Sequence, residues 1–504
     1  MKKPEHRIEH DLLGDREVPI NAYYGVHTLR ATENFPITGA SVQIYPTFIA
    51  AIAYIKEACA VTNNRLGLLD DERTMAIAKA CREVRSGKLH EHFVVDVIQG
   101  GAGTSMNMNA NEVIANRALE IMGHRRGEYQ YIHPLDHVNM SQSTNDVYPS
   151  AIKVALRFEV DKLIAAIDTL YAEFDQKAQE FAHILKMGRT QLQEAVPMTL
   201  GQEFSTYAGM LASDRKRLLR AARAVQELNM GATAIGTGIN TLPQYAPMVC
   251  EALSNATGYN FTKATNLIES TQDMGAFVEL SGSLRQMAVK ISKICNDLRL
   301  LSSGPRAGLG EINLPAVQAG SSIMPGKINP VIPEVVNQVA FEVIGNDVTI
   351  SFAAEAGQLQ LNAFEPVIAY NLLNSLIYMR QGCLTLAQNC VRGITANQEL
   401  LKRTVANSVG IVTALNPHIG YANASAVAKE ATQTGKGVSE TVIGMGLMTQ
   451  AELDEILRPE ILTAPHLSPV PKNKSASKNT PAKERPRKSK PASTAVVQRQ
   501  PTAN

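Results

Sequence analysis

Apolar residues recur at every third or fourth position along several long stretches of the chain. One series runs through residues 156–181 and a second through residues 277–301, and residues 334–355 and 358–390 extend the pattern. A narrow apolar face kept over so many turns is typical of long helices that pack in a bundle or coiled coil. Because strand-like alternation is rare, we predict an all-α protein.

Four segments rich in small, polar and turn-forming residues interrupt this helical pattern. They are residues 99–111 (QGGAGTSMNMNAN), 140–146 (MSQSTND), 320–330 (GSSIMPGKINP) and, more mildly, 187–194 (MGRTQLQE). Ser, Thr and Asn at helix ends serve as caps and turns, and the same side chains also form binding sites. Both interpretations stay open for each segment taken alone.

Residues 320–330 carry the most specific chemistry. The segment lies between two long helical stretches and contains two adjacent hydroxyls, Ser321 and Ser322, together with Lys327 and Asn329. It is not a Walker A loop, because the glycine and lysine spacing of that motif fails. A lysine charge with Ser, Thr and Asn donors suits the oxygens of a small dicarboxylate. A serine in this loop would act as a proton acceptor only with a nearby cation, backbone N–H donors and exclusion of solvent.

The charge balance changes sharply near the C-terminus. The 504 residues carry a net charge of +2, but residues 466–504 hold nine Lys or Arg against a single acid, Glu484, which leaves about −6 on residues 1–465. This basic segment is too poor in apolar residues to offset its ordering entropy, so we predict a disordered tail. The mildly acidic body argues against nucleic acid as the main partner, and the tail alone is a candidate for weak binding of polyanions.

The chain has neither the apolar run of a membrane span nor a visible secretory signal. No stretch of 18 or more apolar residues occurs, and no apolar segment follows the basic residues near the N-terminus. The six cysteines include no CxxC pair. This distribution favours free thiols in a reducing compartment over disulfides or a zinc site. We therefore predict a cytoplasmic protein without a bound metal.

The polar segments also resemble those of a known family. Residues 320–330 resemble the signature loop of the fumarase/aspartase superfamily, and other stretches resemble blocks of the same superfamily, among them GGAGTSMNMNANEVIANRALE, HPLDHVNMSQSTNDVYPSA, KMGRTQLQEAVPMTLGQEF and AAEAGQLQLNAFEPVI. The resemblance implies a homotetramer whose long central helices form a twenty-helix bundle, with each active site where three subunits meet. We expect an N-terminal helical domain at 1–142, the central long-helix domain at 143–397, a small C-terminal helical domain at 398–465, and the basic tail at 466–504.

The resemblance implies a lyase that removes ammonia reversibly from L-aspartate to give fumarate, with no cofactor. Ser321 matches the base that removes the C3 proton and so forms an aci-carboxylate intermediate. Lys327 matches the residue that holds a carboxylate and stabilises the added negative charge. The other matched positions contact the substrate, and they are Thr104, Ser143, Thr144, Asn145, Thr190, Ser322 and Asn329.

One position departs from the family pattern. Gln191 follows Thr190 where fumarases and some aspartases have a histidine, and in fumarases that histidine pairs with a glutamate that matches Glu334. Because Gln191 cannot relay a proton as a histidine does, it disfavours hydration of fumarate and leaves the general acid unnamed. Two alternatives stay open, a fumarate hydratase on the same scaffold and a catalytically silent scaffold protein.

Overall fold

The computed structural model describes residues 5–465, and this part of the chain is dominated by helices. It contains seventeen α-helices: α1 (Val26–Asn34), α2 (Pro46–Arg65), α3 (Asp71–Arg85), α4 (Thr104–Ile121), α5 (Thr144–Glu180), α6 (Leu200–Ala224), α7 (Tyr245–Thr257), α8 (Leu267–Gln272), α9 (Gly275–Leu301), α10 (Val331–Glu355), α11 (Glu365–Asn389), α12 (Gln398–Asn407), α13 (Val412–Ile419), α14 (Tyr421–Thr434), α15 (Val438–Gly444), α16 (Gln450–Ile456) and α17 (Pro459–Leu462). Each of these helices is too short or too polar to cross a membrane. The disordered tail predicted at residues 466–504 lies outside the described residues.

Eight short strands in the same range form four two-stranded sheets. The pairs are β1 (His6–Asp11) with β2 (Gly14–Pro19), β3 (Leu185–Thr190) with β4 (Gln193–Thr199), β5 (Glu227–Leu228) with β6 (Thr262–Lys263), and β7 (Ile312–Asn313) with β8 (Thr395–Ala396). These sheets connect or flank helices. The prediction of an all-α fold is therefore confirmed, with the sheets as small additions.

Five long helices form the centre of the molecule. The longest, α5, has 37 residues, which at 1.5 Å per residue gives a length of about 55 Å. It packs against α6 and α11, while α9 packs against α6 and α10, and α10 packs against α11. Their inward side chains form one continuous apolar core, which includes Leu163, Leu284 and Leu372. The apolar series at 156–181, 277–301 and 334–355 therefore correspond to helices, as predicted.

Reciprocal caps fix where α5 and α6 begin. Ser143 caps α5, and the Asp146 carboxylate accepts the backbone N–H of Ser143 at 3.0 Å. Thr199 and Gln202 cap α6 in the same way. Such a capping box pairs backbone N–H groups that a helix leaves free at its start. The capping interpretation of residues 140–146 is therefore correct, and it leaves the binding interpretation open.

The fourth predicted helical stretch begins later than its apolar pattern indicates. Residues 356–364 reverse the chain between α10 and α11, with Leu359 at a positive φ of 57°. The buried Asn362 holds this turn, because its amide nitrogen donates to the carbonyl of Ala353 at 2.9 Å and its oxygen accepts the N–H of Phe364 at 2.8 Å. A helix start at residue 358 is therefore wrong, and the observed start is at Glu365.

A second, smaller apolar core lies beside the hairpin of β3 and β4. Its buried residues come from the helices between α12 and α16, among them Leu415, Val427 and Leu453. The hairpin contributes Met187 to this core. Strand β3 is therefore anchored to the C-terminal helices through Met187, whereas Lys186 and Arg189 of the same strand contact Glu311.

Candidate active site

The first two polar segments meet where α4 and α5 begin. Thr104 is the first residue of α4, is exposed, and donates its hydroxyl to a backbone carbonyl of the preceding turn at 2.7 Å. The Asn107 side chain donates to the hydroxyl oxygen of Thr144 at 3.0 Å. Gly103, with φ at 85°, lies so close to Tyr148 that a Cβ there would be 2.2 Å from the ring. Two helix N-termini, whose free N–H groups attract anions, are therefore in direct contact.

The second polar segment is also held against residues 231–240. The hydroxyl oxygen of Ser143 accepts the N–H of Asn145 at 3.2 Å, and the Asn145 side chain donates to the carbonyl of Ala234 at 2.8 Å. The adjacent carboxylate of Asp146 accepts a further backbone N–H from this segment at 2.9 Å. These contacts orient half-buried hydroxyl and amide groups at a surface that the single chain leaves open.

Two buried charged groups lie beneath the second segment. The Lys56 ammonium donates to Asn139 Oδ1 at 2.9 Å and to Gln142 Oε1 at 2.8 Å, and burial lowers the pKa of Lys56 to about 8. Burial raises the pKa of Asp146 to about 7, although backbone N–H donors and the Lys56 charge act in the opposite direction. Sequence reasoning missed Lys56. Its signal is a Lys-Glu pair inside the otherwise apolar helical run YIKEACAV, because charged side chains are rarely buried without partners.

Thr190 and Gln191 lie at the tip of the hairpin of β3 and β4. Gln191 and Leu192 both have positive φ, at 53° and 64°, as the tight two-residue turn of a hairpin requires. Thr190 and Gln191 are both exposed. The mild break at residues 187–194 is therefore a hairpin between two long helices, and its tip presents a hydroxyl and an amide outward.

Residues 320–330 form a closed loop directly before α10. Gly320 joins the two ends of this loop, since its N–H donates to the carbonyl of Lys327 at 2.8 Å and its carbonyl accepts from the Asn329 side chain at 2.7 Å. A Cβ on Gly320 would lie 2.5 Å from the carbonyl oxygen of Lys327. Closure of the loop therefore requires glycine at this position.

Within the loop, the Ser321 hydroxyl is held by backbone hydrogen bonds. Its oxygen accepts two backbone N–H groups, from Ile323 at 3.2 Å and from Met324 at 3.0 Å. The neighbouring Ser322 is exposed, as is the lysine at position 327. Glu334 follows in the first turn of α10 and is half-buried. The loop thus presents a hydrogen-bonded serine oxygen and a lysine on one exposed excursion.

The predicted site residues fall into two groups at opposite ends of α5. Thr104 and residues 143–145 lie at its N-terminal end. The hairpin follows its C-terminal end, and an ion pair between Lys186 and Glu311, 2.7 Å long, ties that hairpin to the chain that leads into residues 320–330. Because α5 is about 55 Å long, one chain brings together each group separately and does not bring the two groups together.

The sequence matches families of lyases over most of its length. The family described as Lyase matches residues 14–345, and the family described as Fumarase C C-terminus matches residues 411–464. The chain belongs to the fumarase/aspartase superfamily.

The curated relatives and the solved structures agree with this assignment. Proteins named aspartate ammonia-lyase are 56% identical in Helicobacter pylori (strain J99), over 91% of this chain and 98% of that protein, and 55% identical in Escherichia coli (strain K12), over 91% and 96%. The crystal structure of fumarate lyase:delta crystallin from Brucella melitensis bound to cobalt has a TM-score of 0.90 and 52% identity, covering 92% of this chain and 100% of that one. Recombinant class II fumarase from Schistosoma mansoni has a TM-score of 0.87 and 35% identity, with the same coverage.

Proposed function

We propose that this chain catalyses the reversible elimination of ammonia from L-aspartate to give fumarate, with no cofactor or metal. The observation that carries the proposal is the match to proteins named aspartate ammonia-lyase, at 55–56% identity and over 96–98% of their length. A small dicarboxylate also suits the lysine, amide and hydroxyl donors of the four polar segments.

Ser321 is the proposed base that takes the C3 proton. A serine hydroxyl is a weak base, and its alkoxide needs donors directed at the oxygen. The N–H groups of Ile323 and Met324 are two such donors, and they belong to the same loop. Serine turns without a catalytic role share this geometry, so a variant that lacks only the hydroxyl distinguishes the two roles.

The other polar residues would stabilise the charge that develops on the substrate. Removal of the C3 proton places a second negative charge on the adjacent carboxylate, and collapse of this aci-carboxylate expels the amine. Lys327 is proposed to hold a carboxylate and to stabilise the added charge. The further donors are Thr104, Ser143, Thr144, Asn145, Thr190, Ser322 and Asn329. A preorganised donor of this kind is worth about 2–4 kcal/mol of barrier.

The proposed site is completed by other subunits of a homotetramer. Thr104 and Ser143 lie at one end of α5. The hairpin with Thr190 follows the other end, and the chain that leads to Ser321 is tied to that hairpin. The helix between the two groups is about 55 Å long. A pocket that uses all four residues therefore needs more than one chain. This separation is the main support for a shared active site.

The outward face of α10 gives independent support for association. Phe341, Val348 and Phe352 are 61%, 51% and 70% exposed in the single chain. Their spacing of seven and four residues places them on one face of the helix. The opposite face, which includes Val343, is buried against α9 and α11. A helix that is apolar on both faces requires a further partner, and α10 of other subunits is the proposed one.

We further propose three structural domains at residues 1–142, 143–397 and 398–465. The support is the smaller apolar core, which draws almost entirely on residues beyond 398 and is separate from the core around the long helices. The polar segment that begins α5 marks the first boundary.

The function is tested by assaying the purified protein with L-aspartate and with malate and following the ultraviolet absorbance of fumarate. We expect turnover of aspartate and little or none of malate, because Gln191 cannot titrate. The class II fumarase neighbour makes malate the necessary comparison. Turnover of malate alone would replace the proposal by fumarate hydration, and a tetramer that is inactive on both substrates would favour a silent scaffold.

The role of Ser321 is tested by Ser321→Ala. We expect turnover to fall by at least a thousandfold, with the thermal unfolding temperature and the oligomeric state unchanged, because the side chain lies on an exposed loop. Ser302→Ala is the matched control, since this serine donates to the carbonyl of Arg299 and lies outside the loop. Near-normal activity of Ser321→Ala would remove this serine from its proposed role.

A further inference from the structure

Four charged side chains join the hairpin of β3 and β4 to the segment that leads into residues 320–330. Lys186 and Arg189 lie on β3, Glu203 lies on α6, and Glu311 immediately precedes β7. The Lys186 ammonium contacts Glu203 Oε2 at 2.5 Å and Glu311 Oε2 at 2.7 Å, and the Arg189 guanidinium contacts Glu311 Oε1 at 2.5 Å. The side chains of Lys186 and Glu311 are each 2% exposed. Two positive and two negative groups balance, as buried charges require.

The hairpin of β3 and β4 is irregular between the two cations that β3 contributes. In a regular strand, side chains three positions apart point to opposite faces. The pairing of β3 with β4 shifts register between Met187 and Arg189, so that Ala195 and Val196 of β4 lie opposite the single residue Gly188 of β3. A bulge of this kind increases the local twist of the paired strands. A Cβ at Gly188 would lie 3.0 Å from a backbone carbonyl oxygen of β4, which favours glycine. Lys186 and Arg189 lie on either side of this irregularity, and both contact Glu311.

Glu311 itself belongs to a firmly held part of the chain. Its N–H donates to the carbonyl of Leu301, the last residue of α9, at 2.9 Å, and its carbonyl accepts the N–H of Asn397 at 3.0 Å. The strand that follows, β7, pairs with β8. The proposed signature loop begins nine residues later at Gly320. The Glu311 carboxylate therefore connects a fixed backbone near that loop to the strand that ends at Thr190.

We infer that Glu311 is a positioning residue for the hairpin tip. Its carboxylate holds β3 through two cations, and one of them, Arg189, immediately precedes Thr190. A neutral side chain at position 311 keeps the volume but leaves Lys186 with Glu203 alone and removes the carboxylate that Arg189 contacts in this cluster. The inference rests on the proposed function, because the position of Thr190 affects turnover only if Thr190 contacts the substrate.

A double-mutant cycle with Glu311→Gln and Thr190→Val tests this inference. We expect Glu311→Gln to lower kcat/KM for aspartate at least tenfold, mainly through a higher KM, because the tip hydroxyl is displaced. In the Thr190→Val background we expect a loss of less than twofold, because displacement of the tip costs little once the hydroxyl is absent. Coupling of this kind marks residues that act through one another, whereas a general loss of stability would lower activity in both backgrounds.

Glu173→Gln is the matched control. It removes a carboxylate that pairs with Arg392 near the same end of α5, and we expect it to leave kcat/KM within twofold in both backgrounds. Equal losses for Glu311→Gln in both backgrounds, or no loss in either, would overturn the inference. If the glutamine variant does not fold, Glu311→Asp, which keeps the charge and withdraws it from β3, enters the same cycle with the same criteria.

The wild-type assay separates this inference from the proposed function. Wild-type protein that turns over malate instead of aspartate would refute the proposed reaction, and the cycle would then be measured with malate. Wild-type protein that turns over neither substrate would overturn both. If the wild type turns over aspartate and the losses of kcat/KM for the two substitutions are simply additive, only the role of Glu311 is overturned.

Discussion

Replacing Phe352 by aspartate is expected to separate the subunits and abolish turnover from a position outside every proposed substrate contact. In the single chain the Phe352 side chain is 70% exposed on the outward face of α10. Full burial of a phenylalanine is worth about 1.5–3 kcal/mol, so covering this fraction is worth about 1–2 kcal/mol per chain. Four symmetric copies give about 4–8 kcal/mol per tetramer, and an unpaired buried carboxylate adds several kcal/mol of penalty.

Sedimentation velocity and aspartate turnover per chain measure this effect. We expect Phe352→Asp to sediment as monomers or dimers and to lose at least a hundredfold in turnover, while its circular dichroism keeps the helical signal. Phe352→Leu should remain tetrameric, because most of the apolar area is kept. Tyr421→Asp is the matched control, since Tyr421 is 80% exposed on α14 and outside the central helices.

Two results would refute the reasoning. If Phe352→Asp stays tetrameric, the outward face of α10 is not the subunit interface. If it dissociates to monomers and keeps wild-type turnover, a single chain completes the active site, which contradicts the separation of the polar segments along α5.

Two further changes probe the end of α5 where Thr104 and Ser143 lie. Gly103→Ala should lower the free energy of unfolding by about 2–5 kcal/mol, because a Cβ would lie 2.2 Å from the Tyr148 ring. In thermal unfolding, Gly39→Ala should cost distinctly less, because Gly39 has positive φ but open space around it. Equal losses would contradict the steric reason. Asp146→Asn should make stability less dependent on pH. The folded-state pKa of Asp146 is raised from 3.8 to about 7. Its contribution to stability is therefore complete below about pH 4 and falls by roughly 4 kcal/mol as the pH rises to about 7. Urea unfolding of both proteins across that range measures the difference, and parallel pH profiles would contradict it.

The apolar pattern of the sequence was sufficient to predict the long helices. It was insufficient where the hydrogen bonds of a single polar side chain decide where a helix begins. The apolar spacing predicts α5, α9 and α10 because their buried faces persist over many turns. The same spacing continues through residues 358–364, yet α11 begins only at Glu365. The deciding contact is the hydrogen bond from Asn362 to the carbonyl of Ala353, which periodicity cannot register because it concerns one polar side chain in an apolar series.

The types of residue in the candidate site could be predicted from the sequence, but the ion pairs and hydrogen bonds that hold them in place could not. Ser, Thr, Asn and Lys in breaks of the helical pattern are visible in sequence, and so is the resemblance that assigns them roles. Glu311 pairs with Lys186 and Arg189 from a distant part of the chain, and Lys56 reaches Asn139 from a different helix. These pairs depend on how the helices and the hairpin are packed, so no local spacing reveals them.

The separation along α5 also limits how the chains can associate. Under the proposed function, every pocket needs Thr104 and Ser143 from one end of a chain, together with Thr190 and Ser321 from the opposite ends of other chains. Parallel association in register would place like ends together and leave every pocket incomplete. Twofold axes perpendicular to the long helices place unlike ends together at both ends of the bundle. A tetramer with such axes therefore completes as many pockets as it has chains, and a ring of parallel chains completes none.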